Sequence, residues 1–160
     1  MQEIIIARKA YFTAGVVFQP PSMTKEQATA LYGVYSRSEY GFGNNYTLEA
    51  YFQGSIDPKT GLVVNLSDID PLLKAVIAPL DHQNLSRTVP EFKEQAPTLE
   101  KIAQYCYEKL QERIQNLNAK LIGVRIYQGE NFWADYGHVS VGVSPEPLPP
   151  PPAVGSLIRG

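Results

Sequence analysis

From Tyr46 to Gln53 the chain alternates, with Tyr46, Leu48, Ala50 and Phe52 in one row and Thr47, Glu49, Tyr51 and Gln53 in the other. A period of two puts the rows on opposite faces of a strand. Residues 3–18 are rich in β-branched and aromatic types, from Ile4, Ile5 and Ile6 to Val16, Val17 and Phe18, and predict another strand. Gly15 within it marks a bulge or a close backbone approach. Pro20 and Pro21 end it, and Ser22 or Thr24 caps a short helix through about Leu31.

After the alternating strand, Asp57-Pro58-Lys59-Thr60-Gly61 has the composition of a turn, and Leu62–Val64 is expected to return as a hairpin partner. Ser67 followed by Asp70 resembles a capping box for a helix through Ile77, which Pro79 stops. Residues 80–97 have few periodic apolar positions and are expected to form a long loop. Thr98 caps the longest helix, whose apolar stripe runs Leu99, Ile102, Ala103, Cys106, Leu110, Ile114 and Leu117. Lys120–Gln128 reads as a strand, and 132–143 as another, broken near Gly137. Hairpin strands with two principal helices predict an α+β fold: an antiparallel sheet with helices on one face.

Residues 1–143 are expected to form one domain, and 144–160 an extended, poorly ordered tail, because prolines cannot join a sheet ladder and favour polyproline II. The apolar fraction of 44% and the charged fraction of 19% are those of an ordinary globular protein. A net charge of −2 without a basic stripe argues against nucleic acid as the main partner. The apolar run at Ile4–Ile6 is too short for a signal peptide or a membrane span, so a cytoplasmic protein without a membrane partner is expected.

Chemistry-bearing residues are sparse. There are two histidines, His82 and His138, and one cysteine, Cys106, so one chain cannot supply a three-histidine zinc site. No metal cofactor is expected. Cys106 lies on the apolar stripe and reads as a small core residue. Asp81 and His82 are adjacent, which is either a histidine oriented by a carboxylate for proton transfer or a turn in which Asp81 bonds local backbone. Glu100 falls in the first turn of the longest helix, where its charge suits the dipole. Gln128 ends a strand and offers an amide to a planar ligand or to water. No P-loop, dinucleotide fingerprint or serine nucleophile elbow is present.

Taken in order, FTAG near the start, GFGNNYTLEAYFQGSIDPKTGLVVNLSDI, PLDHQNL, PTLEKIA and VRIYQG resemble the 6-pyruvoyl-tetrahydropterin synthase and 6-carboxytetrahydropterin synthase family, from about Ala10 to His138. The resemblance implies a T-fold, in which a four-stranded antiparallel sheet carries two helices. It also implies sheets closed into a trimeric barrel, two trimers stacked into a homohexamer, and sites at subunit interfaces.

Family enzymes hold zinc with one histidine near the end of the first strand and two in a Gly-His-Gly-His-Asn-Tyr turn. Here the first position is Val16, or Val17 if the strand is offset by one, and the other two are Phe42 and Asn44. The family's cysteine position falls near Tyr35 or Ser36. Asp81 and His82 match the family's catalytic Asp-His pair, and Thr98 and Glu100 match its PT-x-E segment. Gln128 aligns with the pterin-anchoring glutamate, and Asn45 of the same turn joins these as a candidate ligand contact. The resemblance therefore implies a degenerate member of a lyase family that binds a pterin-like or purine-like ring, or a protein, on an oligomeric scaffold. Two alternatives stand beside it: a zinc-independent lyase or isomerase using Asp81 and His82, and an interaction protein recruiting a partner through its proline-rich tail.

Overall fold

The computed structural model describes residues 2–139, and the expected tail lies outside them. Five strands make one sheet in the order β3-β1-β2-β4-β5: β1 (Ile4–Val16), β2 (Phe42–Gly54), β3 (Gln83–Asn84), β4 (Lys120–Gln128) and β5 (Phe132–Gly137). Four long strands run antiparallel, as expected. The short β3 adds a parallel pairing, setting Ala14 beside Gln83 and Gly15 beside Asn84. The helices are α1 (Lys25–Tyr32), α2 (Leu66–Ile77), the single-turn α3 (Leu85–Thr88) and α4 (Leu99–Arg113).

Alternation sorts the sheet into two faces. Phe12, Ala14 and Val16 of β1, Tyr46, Leu48, Ala50 and Phe52 of β2, and Val124 and Ile126 of β4 are buried beneath the helices. The apolar stripe of α4 supplies Leu99, Ile102, Ala103, Cys106 and Leu110 to the same core, while Ile114 and Leu117 lie beyond the helix and pack against it partly buried. Burial pushes the Cys106 thiol far up, as the core reading of this residue requires. The other sheet face is open: Tyr11 is 70% and Trp133 48% exposed.

Three local expectations give way. Leu62–Val64 is not a strand, because β1 and β4 already occupy both edges of β2. The segment instead closes a compact loop, with Asp57 N donating to Leu62 O at 2.9 Å, and tucks Val63 and Val64 into the core. Helix α2 is capped by Asn65, whose side chain accepts the Ser67 N–H at 3.1 Å; Asp70 instead takes Arg8 of β1 in two hydrogen bonds of 2.8 and 2.9 Å. Residues 80–97 contain β3, α3 and a 3-10 turn at Pro90–Phe92, pinned by buried Leu80, Leu85, Val89 and Phe92. Among the described residues no helix is long and apolar enough to cross a membrane.

Candidate functional site

The strand from Phe42 begins directly after Gly41, whose φ of +80 suits glycine and whose Cβ, were one present, would lie 2.0 Å from the Val16 carbonyl oxygen. This close approach pairs Val16 with Phe42 in register and sends the chain onward to Phe18. Helix α1 and the 3-10 turn Gly33–Ser36 then fold back over that end. Phe18 stacks on Phe42 at 5.7 Å and 7°, Tyr35 lies 6.0 Å from Phe18 and 5.7 Å from Phe42, and Tyr32 meets Phe18 edge-on at 5.2 Å. Such pairs contribute about 0.5–1.5 kcal/mol each beyond their buried area.

This aromatic wall bounds a cleft of about 270 Å³ completed by Thr98, Leu99, Glu100, Gln128 and Phe132. Thr98 Oγ1 caps α4 by accepting the Lys101 N–H at 3.4 Å, and Glu100 stands exposed in the first turn. Glu100 is the one ionisable carboxylate in the lining, and no cationic side chain joins it. Gln128 is anchored behind the cleft: its amide and that of Asn44 are 3.2 Å apart, and the Asn44 amide is 3.2 Å from the Tyr46 hydroxyl. A larger cleft of about 530 Å³ lies at the far end of the sheet, around Asp57, Asp68 and Arg113, and contains none of the residues expected at a site.

Of the two residues nearest the family's cysteine position, Tyr35 lines the cleft. Ser36 is fully buried, its hydroxyl donating to Gly33 O at 2.9 Å. Val16 is core-facing and 1% exposed, whereas Val17 turns toward Gln19, Pro20 and Ser86. The three positions that the family resemblance aligns with zinc ligands do not fit the metal: Val16 and Phe42 offer hydrocarbon, and both polar atoms of the Asn44 amide already have partners. Among the described residues no group of three His, Cys, Asp or Glu side chains is placed to hold a metal.

Asp81 and His82 lie elsewhere. They join Tyr11, Thr13, Asn45 and Thr47 in a third cleft, of about 360 Å³, on the open sheet face. Asn45 therefore belongs with the Asp-His pair, accepting the Thr13 hydroxyl at 3.0 Å, and not with the aromatic cleft. His82 Nδ1 is 2.9 Å from Asp81 Oδ1, which also accepts the Thr13 N–H at 3.0 Å; the His82 N–H donates to Thr13 O at 2.6 Å. The Thr13 N–H chiefly, with the His82 ring adding to it, holds the Asp81 carboxyl below the usual carboxylate range. His82 has a positive φ of 58, a conformation uncommon outside glycine.

Sequence reasoning missed Phe18, Leu99 and Phe132 as cleft walls and Tyr46 as the anchor of the amide pair. A signal for Tyr46 was present, since Asn44 and Tyr46 are two apart on one strand and so share a face.

The family model for 6-pyruvoyl tetrahydropterin synthase matches residues 6–138. The chain belongs to this family. Its relatives include the human 6-pyruvoyl tetrahydrobiopterin synthase, 32% identical over 127 residues covering 79% of this chain and 86% of that one. The Poecilia reticulata enzyme of the same name is 36% identical over 106 residues, covering 66% of this chain and 71% of its own length. The Caenorhabditis elegans 6-pyruvoyl tetrahydropterin synthase structure superposes with a TM-score of 0.79 at 26% identity, covering 86% of this chain and 96% of that one. The family's T-fold is thus the fold of this chain.

Proposed function

We propose that this family member binds a flat pterin-like or purine-like heterocycle in the aromatic cleft and does not perform the synthase reaction for which its relatives are named. One observation supports the reading: Val16, Phe42 and the engaged Asn44, at the positions that the resemblance aligns with zinc ligands, offer no ligand set, while the cleft beside them stays open between Tyr35, Glu100 and Gln128. The loss of a bound Lewis acid removes the means to polarise substrate oxygens, and no thiol takes the cysteine's place, since Tyr35 and Ser36 offer only hydroxyls. What survives is recognition, a stacking wall with polar groups at its rim. The test incubates the purified protein with dihydroneopterin triphosphate, with and without zinc, and reads products by mass spectrometry and binding by calorimetry. Binding without turnover supports the proposal; turnover at ordinary enzyme rates overturns it.

A second reading, a zinc-independent lyase or isomerase, draws on the preformed Asp81–His82 contact of 2.9 Å. The pair opens on the sheet face opposite the cleft, so such an enzyme requires His82 of one copy to meet the cleft of another. Loss of turnover in His82→Ala would favour it. Self-association, up to the hexamer that the family resemblance implies, is supported by the exposed Tyr11, Trp133 and Ile5 on the open face. A protein partner for the proline-rich tail remains a separate proposal on residues beyond those described.

A further inference from the structure

Tyr46 is 2% exposed, and its ring stacks on Phe12 at 5.0 Å and 16°. Its hydroxyl touches one polar group among the described residues, the Asn44 amide at 3.2 Å, which in turn reaches the Gln128 amide at 3.2 Å. Two senses of donation fit these positions. In one, Gln128 Nε2 donates to Asn44 Oδ1 and Asn44 Nδ2 donates to the Tyr46 oxygen, which leaves the buried Tyr46 proton with no acceptor. Exchanging oxygen and nitrogen on both amides keeps both distances. The Tyr46 O–H then donates to Asn44 Oδ1, and Asn44 Nδ2 donates to Gln128 Oε1.

Only the second sense uses the hydroxyl proton, and an unused buried donor is the costlier arrangement. Burial also raises the Tyr46 pKa, so that proton is present at neutral pH. The direction chosen at Tyr46 fixes what the cleft meets, because Gln128 has one end engaged and one end free.

We propose that the relay Tyr46→Asn44→Gln128 turns the N–H groups of Gln128 toward the cleft, so that the ligand presents a ring carbonyl there. The inference rests on the cleft-binding reading above and specifies its ligand class. Glu100, an acceptor only, takes a ring N–H or amino group elsewhere on the ligand. The class is an oxo-substituted, lactam-bearing bicyclic heterocycle, and a ring offering only amino groups to Gln128 is rejected.

The test is calorimetry at neutral pH on the purified full-length protein with two probes of one shape, 2,4-dioxopteridine and 2,4-diaminopteridine. The dioxo probe is expected to bind about tenfold tighter or more, the change one well-placed hydrogen bond produces. Gln128→Glu, which can only accept, is expected to reverse the order. Tyr46→Phe keeps the stacked ring but frees the Asn44 amide to turn, and is expected to bring the two affinities together. The ratio of affinities is the readout, since a merely structural role for Tyr46 would weaken both probes alike. A wild-type preference for the diamino probe, or an unchanged ratio in Tyr46→Phe, overturns the relay while leaving the cleft a binding site. Binding of neither probe by folded protein overturns the cleft reading and this inference with it. Should Tyr46→Phe not fold, the wild-type ratio and the Gln128→Glu reversal decide.

Discussion

Asp81 and His82 are neighbours that touch, with Oδ1 and Nδ1 2.9 Å apart, because the His82 backbone turns into the left-handed region and is fastened to Thr13. Adjacent residues in extended or helical backbone point away from each other, so the contact is made by the turn. The same turn ties the 80–97 segment to β1.

The Asp81 carboxyl is stabilised in its charged form by folding, which fixes the sign of a pH effect. A folded pKa below the unfolded value of about 3.9 adds stability above that value and loses it as pH falls through the folded pKa. Asp81→Asn lacks this dependence. Its melting temperature is expected to decline less than that of wild type between about pH 5 and 2, measured by circular dichroism at matched ionic strength. Parallel curves would show that the Thr13 N–H does not hold the charge.

Gly41→Ala should be among the most damaging single-methyl additions in the domain. The methyl would sit 2.0 Å from Val16 O at a φ of +80. Backbone strain of about 1–2 kcal/mol and a forced shift of about 1–3 kcal/mol together predict a loss of several kcal/mol in denaturant unfolding. Gly61→Ala, also at positive φ but in open space, should cost only the strain.

Removing metal should change nothing. Overnight dialysis against a chelator is expected to leave the melting temperature and pteridine affinity of the wild type unaltered, because Val16, Phe42 and the engaged Asn44 make no ligand set. A fall in melting temperature that zinc alone reverses would refute this expectation.

Cys106 should behave as a core atom. A thiol reagent is expected to leave native protein unmodified and to label it once unfolded, since the side chain is fully buried on α4. Cys106→Ser should cost about 1–3 kcal/mol by burying a hydroxyl where a thiol was content. Ligand affinity at the cleft should stay the same. Labelling of native protein at the rate of a free thiol would show the helix opening.

What the sequence made legible follows the range of the interactions. The stripe on α4 and the alternation on β2 are local patterns, and both elements formed where they were expected, although α4 ends at Arg113, short of Ile114 and Leu117, and β2 begins four residues early at Phe42. Leu62–Val64 carried every local hairpin cue. It failed as a strand because β2 had both edges taken by strands distant in the chain. Short α3 is held by Leu85, Val89 and Phe92 in the core, so its stability comes from packing and leaves little helical pattern to read. At the site, Glu100, Thr98 and Gln128 were named from the sequence and meet in one cleft. The role of Asn44 was not legible, because its partner Gln128 is 84 residues away. Asn45 was grouped with the cleft residues from the sequence, whereas the alternation along β2, applied through position 44, sets it on the opposite face beside Asp81 and His82.

The Arg8–Asp70 contact bears on how the chain avoids misassembly. Arg8 stands in the middle of β1, on the stretch that the short β3 leaves without an outer neighbour, yet points inward, donating two hydrogen bonds to Asp70 of α2. A one-residue slip of β1 against β2 would swing Arg8 to the open face, strand Asp70, and turn Lys9 into the core. The ion pair is half exposed and adds little to the depth of the native well. Its larger effect is to raise the energy of the shifted register, so Arg8→Leu should yield a chain that still folds but pairs its edges less faithfully.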